Sequence, residues 1–127
     1  MEEVLKNNTG FISKNGFKIA KLTKEECILE YEIKEDGLNP MGMVHGGLLF
    51  GLADTSAGAL AFYTGKKCVT TSANMNYLNP AKDGKIYAKA TALKLGHHIG
   101  YYDVVITDDN ENVIATSMVN MYFNSNK

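Results

Sequence analysis

The chain has no excess of positive charge, no long apolar run and only two cysteines, and each shortage closes off a class of function. Thirteen basic residues stand against 14 acidic ones, for a formal net charge of -1. That balance leaves no basic footprint for nucleic acid. No stretch reaches the ~18 uninterrupted apolar residues a membrane span requires. The first ten residues, MEEVLKNNTG, begin acidic and lack an apolar segment, so they do not read as a secretory signal. Cys27 and Cys68 lie far apart and form neither a CxxC pair nor zinc spacing, which is the usage of reduced thiols in a cytoplasmic protein. Internal repeats, low-complexity segments and linkers are absent too, so residues 1–127 read as one domain, long enough to bury one core.

What is present divides into three parts. MEEVLKNN suits one or two helical turns. GFKIAKLTKEECILEYEIKED reads as two strands around the polar turn Thr23-Lys24-Glu25-Glu26. In the second, Cys27, Leu29, Tyr31 and Ile33 alternate with Glu30, Glu32 and Lys34, the period of a strand with one buried face. Residues 36–44 form a loop punctuated by Gly37, Pro40 and Gly42. From His45 to Tyr63 the apolar residues come in helical abundance on nearly every side, which predicts a buried helix closed by Gly65. Gly46, Gly47, Gly51 and Gly58 each cost about 1 kcal/mol against alanine there, which close approach of a neighbouring backbone would explain.

The remainder is β-structure. CVTTSANMNYL, KIYAKATALKL, HIGYYDVVITDD and VIATSMVNMYF are separated by turn residues, and their short connections predict an antiparallel meander. One long helix covered by a curved antiparallel sheet is an α+β arrangement.

Between Gly37 and Gly65 there is one formal charge, Asp54, inside an apolar, glycine-rich run. A carboxylate there is costly to ionise without partners. It is either a catalytic acid/base or a structural group satisfied by hydroxyls such as Thr55 or Ser56. His45-Gly46-Gly47 stands at the helix entrance, where backbone N–H groups lack internal partners and lie at the positive end of the dipole. A glycine there admits a carbonyl to the N–H, an oxyanion hole for acyl transfer, although a Gly-Gly pair also serves tight packing. Asp54 follows Gly46 by eight positions, about 12 Å along a helix axis. A base and an oxyanion donor must each lie within roughly 3 Å of the reacting group. If both act, they act from different subunits.

Three further candidates surround this pair. His45 suits an orienting role better than general-base work, since no Ser or Cys nucleophile accompanies it. Asn39 is a turn residue whose amide could also orient water or a carbonyl. Ser72 is an ordinary strand serine, or a hydrogen-bond partner for Asp54 or the attacking water. The His97–His98 pair lacks the convergent ligands a metal site needs. Phe50, Phe62, Tyr63, Met75 and Tyr77 either line an acyl pocket or fill the core.

Taken in order, Asn39-x-x-Gly42-x-x-His45-Gly46-Gly47, then Asp54, then Ser72, resembles the PaaI-type branch of the hotdog-fold thioesterases, over nearly the whole chain. The resemblance implies a central helix wrapped by an antiparallel sheet of five to six strands, sheets joined across a dimer, and dimers paired into tetramers. It implies an acyl-coenzyme A substrate and no metal or cofactor. Asp54 matches the carboxylate that attacks the thioester or activates water, and Gly46 matches the N–H donor from the opposite subunit. Asn39 matches the polar group near the water, His45 the residue positioning that loop, and Ser72 the serine contacting water or substrate. Gly47, Thr55, His97 and His98 take substrate-contact positions. Members of the family often carry a basic residue after the glycine of the penultimate strand, where Gly96 is here followed by the two histidines. Two other activities suit such a fold: a non-catalytic acyl-coenzyme A sensor, for which the chain has no output domain, and an enoyl-thioester hydratase using His45 with Asp54.

Overall fold

The computed structural model describes residues 10–124, so the helical turns expected in MEEVLKNN lie outside the described residues. A short helix α1 (Phe11–Lys14), which the sequence reading did not anticipate, leads into β1 (Lys18–Leu22) and β2 (Glu26–Glu32). Thr23 makes the tight turn between them. Its backbone N–H donates to the Glu26 carbonyl at 2.9 Å, and its hydroxyl accepts from the N–H groups of Glu25 and Glu26. The alternation in β2 holds: Cys27, Leu29 and Tyr31 are buried and the glutamates face outward.

The long helix α2 (Gly46–Tyr63) starts one residue after His45, which serves as its N-cap. It ends as expected at Gly65, whose φ of 89° is the left-handed conformation glycine adopts most readily. There the Gly65 N–H donates to the Phe62 carbonyl and the Lys66 N–H to the Ala61 carbonyl, so two carbonyls of the last turn find donors. Along the buried side, Leu52, Ala53, Ala57 and Leu60 pack on Ile86, Ala88, Ala90, Val104, Ile106 and Val119 of the sheet. Burying each leucine contributes about 1.5–3 kcal/mol.

The in-helix glycines meet side chains rather than backbones, contrary to the sequence reading. A Cβ on Gly51 would come within 2.8 Å of the Phe11 ring, and one on Gly46 within 3.3 Å of the Tyr77 ring. Aromatic side chains packed against a helix need this space as much as a second backbone does.

Four long strands follow: β3 (Cys68–Tyr77), β4 (Lys85–Leu95), β5 (Ile99–Asp108) and β6 (Val113–Phe123). With β1 and β2 they form one antiparallel sheet in the order β1-β2-β4-β5-β6-β3. This is the hotdog arrangement. The expected simple meander is correct for β4-β5-β6 but not for β3, which pairs with β6 at the far edge. The physical reason is reach: residues 78–84 can span about 23 Å extended, while three strand spacings amount to roughly 14 Å. No helix among the described residues is long and apolar enough to cross a membrane.

The two sheet edges differ. β1 is five residues long, carries Lys18 and Lys21, and is interrupted between Ile19 and Lys21. Shortness, lysines and an irregularity are the usual guards against strand addition. β3 is ten residues long and contains no charge at all.

Candidate active site

The loop that enters α2 is tied down by Asn39. Its side-chain Oδ1 accepts from the Met41 N–H at 2.9 Å and the Met43 N–H at 3.1 Å. Two backbone donors on one atom identify that atom as the oxygen, leaving the Nδ2 hydrogens for a ligand. The turn role expected of Asn39 is therefore real, and it leaves the amide nitrogen uncommitted. The His45 N–H then donates to the Gly37 carbonyl, and the Val44 N–H to the Ala81 carbonyl.

His45 is extended, with φ -62° and ψ 137°, and its Nδ1 accepts from the Gly47 N–H at 2.8 Å. In this arrangement Nε2 carries the hydrogen, so the ring acts as a helix cap. Gly47, a proposed substrate contact, thus has its N–H engaged within its own chain. The Gly46 N–H has no acceptor among the described residues. It is the first helical residue, and its amide lies at the positive end of the helix dipole. Tyr77 fixes this point from the other side by donating its hydroxyl to the Gly46 carbonyl at 3.2 Å. Beside it opens a cavity of about 320 Å³ lined by Asn39, Gly46, Leu49, Tyr77, Pro80 and Ala81, among others.

Asp54 is half-buried on the same helix. Its partner is neither Thr55 nor Ser56, the hydroxyls suggested by the sequence; Ser56 donates instead to the Ala53 carbonyl. It is not Ser72 either. Thr70 donates its hydroxyl to Asp54 Oδ1 at 2.5 Å, while Ser72 Oγ accepts from Asn120 Nδ2 at 2.8 Å. The cause is a β-bulge between Thr70 and Ser72. Thr70 lies opposite the buried Met121, and Ser72 lies opposite Asn120, one residue earlier. The extra residue, Thr71, puts Thr70 on the helix side of the sheet and Ser72 on the outer side. The consecutive Thr70-Thr71-Ser72 run, which breaks any apolar alternation, was the signal available in the sequence. No donor reaches Asp54 Oδ2 among the described residues.

Asp54 also belongs to a stripe at four-residue steps: Gly46, Phe50, Asp54, Gly58 and Phe62. Phe50 is 39% exposed and Phe62 46%. With Tyr63 they are surface residues, so their core reading fails; Met75 packs partly against the core and Tyr77 lines the cavity. Exposed phenylalanines on both sides of a carboxylate leave an apolar face uncovered in the single chain.

Neither cysteine lies in a setting that favours its thiolate. Burial pushes the Cys27 thiol up to about 12. Burial, and then the negative charge of Asp54, raise Cys68 as well. Both remain protonated near neutral pH, where a thiolate would be needed. Thr55 sits beside Asp54 on the helix, its side chain making no hydrogen bond among the described residues. His97 and His98 stand exposed at the β4–β5 turn with ring centroids 4.4 Å apart, and His98 stacks on Tyr122. Among the described residues no group of three or more His, Cys, Asp or Glu converges as metal ligands would.

Residues 41–115 match the Thioesterase superfamily. The chain is similar to the putative esterase ComA2 of Bacillus subtilis (strain 168), 31% identical over 106 residues that cover 80% of this chain and 84% of the relative. Its fold superposes on smu.793 from Streptococcus mutans UA159, solved bound to acetyl CoA, with a TM-score of 0.83 and 26% identity, covering 86% and 89% of the two chains. A mutant of the phenylacetic acid degradation protein PaaI from Thermus thermophilus superposes with a TM-score of 0.83 and 26% identity, covering 88% and 96%. A carboxylate oxygen and a helix-start N–H, each without a partner among the described residues, and the hotdog sheet thus occur together in a chain that belongs to the thioesterase superfamily, a thioester hydrolase of the PaaI type.

Proposed function

We propose that the chain hydrolyses acyl-coenzyme A thioesters at composite sites, Asp54 of one subunit acting on a carbonyl polarised by the Gly46 N–H of the other. The observation that carries this reading is the separation of the two groups on α2. They stand about 12 Å apart along the axis, so one chain cannot bring both to one carbonyl. The unguarded β3 edge and the exposed Phe50 and Phe62 favour a second copy as the missing half. Edge-to-edge pairing of β3 strands would continue the sheet across a two-fold axis and lay the helices against each other. Pairing of such dimers into a tetramer is the further assembly we assign.

The chemistry asks little of the protein, because a thioester is an activated carbonyl. Asp54 Oδ2 either adds to the carbonyl carbon or takes a proton from a water that adds there. In both routes the C–S bond breaks and the coenzyme leaves as the thiol. The developing oxyanion is met by the Gly46 N–H, with the Asn39 amide beside it. The cavity next to Gly46 receives the substrate on either side of its carbonyl, and Thr55, His97 and His98 are proposed to contact its remainder. An acetyl CoA complex of a 26% identical structural neighbour supports coenzyme A as the carrier. The setting we assign is the cytoplasm, in keeping with the free Cys27 and Cys68. Residues 1–127 are taken as one functional domain.

The test is thiol release from acetyl-, octanoyl-, palmitoyl- and benzoyl-coenzyme A, wild type against Asp54→Asn. Turnover should fall by roughly 10²–10⁴-fold in the variant with the oligomer intact. Full turnover in Asp54→Asn would remove Asp54 from the chemistry. Tight binding without turnover in the wild type would favour an acyl-coenzyme A sensor. The assay needs a protein-only blank, since the half-buried Cys68 can react with thiol reagents.

A further inference from the structure

We propose that Thr70 is a positioning residue that selects which oxygen of Asp54 reacts; this rests on the hydrolytic reading above. Its hydroxyl donates to Oδ1 at 2.5 Å and lies 3.5 Å from Met121 Sδ. One hydrogen serves one strong bond, and the shorter contact to the carboxylate takes it. The sulfur contact then acts as packing that holds the hydroxyl in place.

Two consequences follow from that bond. A carboxylate oxygen that already accepts a hydrogen bond is less basic and less nucleophilic than its neighbour. Oδ1 is therefore the anchored atom and Oδ2 the reacting one. The bond also fixes rotation of the carboxylate plane, which is a soft torsion in a free aspartate. Holding the reacting atom in one direction is the kind of preorganisation that raises kcat without changing substrate affinity.

The backbone is built for this arrangement. In an unbroken strand Thr70 and Ser72 would share a face, and both hydroxyls would compete for the helix side. The bulge at Thr71 separates them, so Thr70 alone faces Asp54 and Ser72 turns to Asn120. During the reaction Thr70 keeps its hydrogen. In the general-base route, water gives its proton to Oδ2 while its oxygen adds to the carbonyl carbon. When the C–S bond breaks, the proton passes to the departing thiolate. In the nucleophilic route Oδ2 itself adds and the thiolate leaves, and water then opens the anhydride.

The experiment compares Thr70→Val and Thr70→Ser in the full-length oligomer, each in the wild-type and Asp54→Asn backgrounds. The substrate is the member of the thioester series with the highest kcat/KM. Thr70→Val should lower kcat roughly 10- to 100-fold and leave KM within about threefold, while Thr70→Ser restores kcat to within about threefold. In the Asp54→Asn background Thr70→Val should cost nothing further, because the two act as a unit. An equal loss in both backgrounds, a change confined to KM, or an unchanged kcat would overturn the proposal while leaving the hydrolytic reading in place. Wild-type turnover in Asp54→Asn would instead fell that reading, and this inference with it. If valine at this position prevents folding, Thr70→Ala read against Thr70→Ser gives the same comparison.

Discussion

Tyr77 holds Gly46 at both ends of its reach: its hydroxyl donates to the Gly46 carbonyl at 3.2 Å, and its ring lies 3.3 Å from where a Cβ on Gly46 would be. Gly46 is thus set in place by the last residue of β3, the strand at the far edge of the sheet.

Replacing Gly46 by proline isolates the N–H. Gly46 is the first helical residue, where proline is tolerated, and His45 already has the extended conformation a residue before proline requires. Gly46→Pro should therefore fold with its helix intact, with Tyr77 giving by a few tenths of an ångström. Its kcat should fall on the order of 10²–10³-fold, the usual cost of one oxyanion donor. Mixed with Asp54→Asn subunits, it should regain about a quarter of wild-type activity, since half the dimers are hybrid and each has one intact site. A well-mixed hybrid with no activity would show that the two groups do not share a site.

The apolar stripe gives a second test. Phe62→Asp places a charge two turns from Asp54, on the apolar face left exposed in the single chain. Light scattering should show monomers at micromolar concentration, with thiol release falling roughly 100-fold alongside. An active monomer would end the composite-site reading.

Isotope transfer tests the nucleophilic role of Asp54. Under single turnover in ¹⁸O-water, label in the Asp54 carboxylate, read by peptide mass spectrometry, establishes an anhydride opened by water at the aspartyl carbonyl. Label in the product acid alone counts against that route and fits general-base attack by water on the thioester.

A fourth prediction concerns acid stability. The Asn112 side chain donates to Asp108 Oδ2 at 3.1 Å, and the N–H groups of Asn112 and Asn110 donate to Oδ1 at 2.9 Å. These bonds, that of the Asn112 side chain first, hold the Asp108 carboxyl below the ordinary aspartate range. Because the folded value is depressed, its stabilisation is complete above about pH 4 and is lost as pH falls through the folded value. Asp108→Asn should lower the urea midpoint at pH 7 and flatten its decline below pH 4. Parallel curves for the two proteins would contradict this.

The helix, its entrance at His45-Gly46-Gly47, its stop at Gly65 and the face of β2 are legible because each is a local pattern. The partner of β3 is not. Nothing within Cys68–Tyr77 says which strand it joins, and chain order favoured β4, whereas the sheet places it against β6. The Asp54 partner was misread for a related reason. A bulge changes which hydroxyl faces inward without changing composition, so the sequence points to Ser72 and does not single out Thr70. For Tyr77 the sequence leaves pocket and core both open, since an aromatic in a strand suits either, and the fold decides for the cavity wall.

The pairing of β3 with the last strand also orders events during synthesis. At about 5–20 residues per second, residues 78–123 take roughly 2–9 s to make. Until they emerge, β3 has no strand beside it, and the Thr70 hydroxyl has no fixed direction from which to meet Asp54. A chain ending before Val113 would lack the strand that pairs with β3, and with it the wall that orients the carboxylate. The Thr70–Asp54 hydrogen bond is thus a product of the C-terminal strand, although neither of its residues lies there.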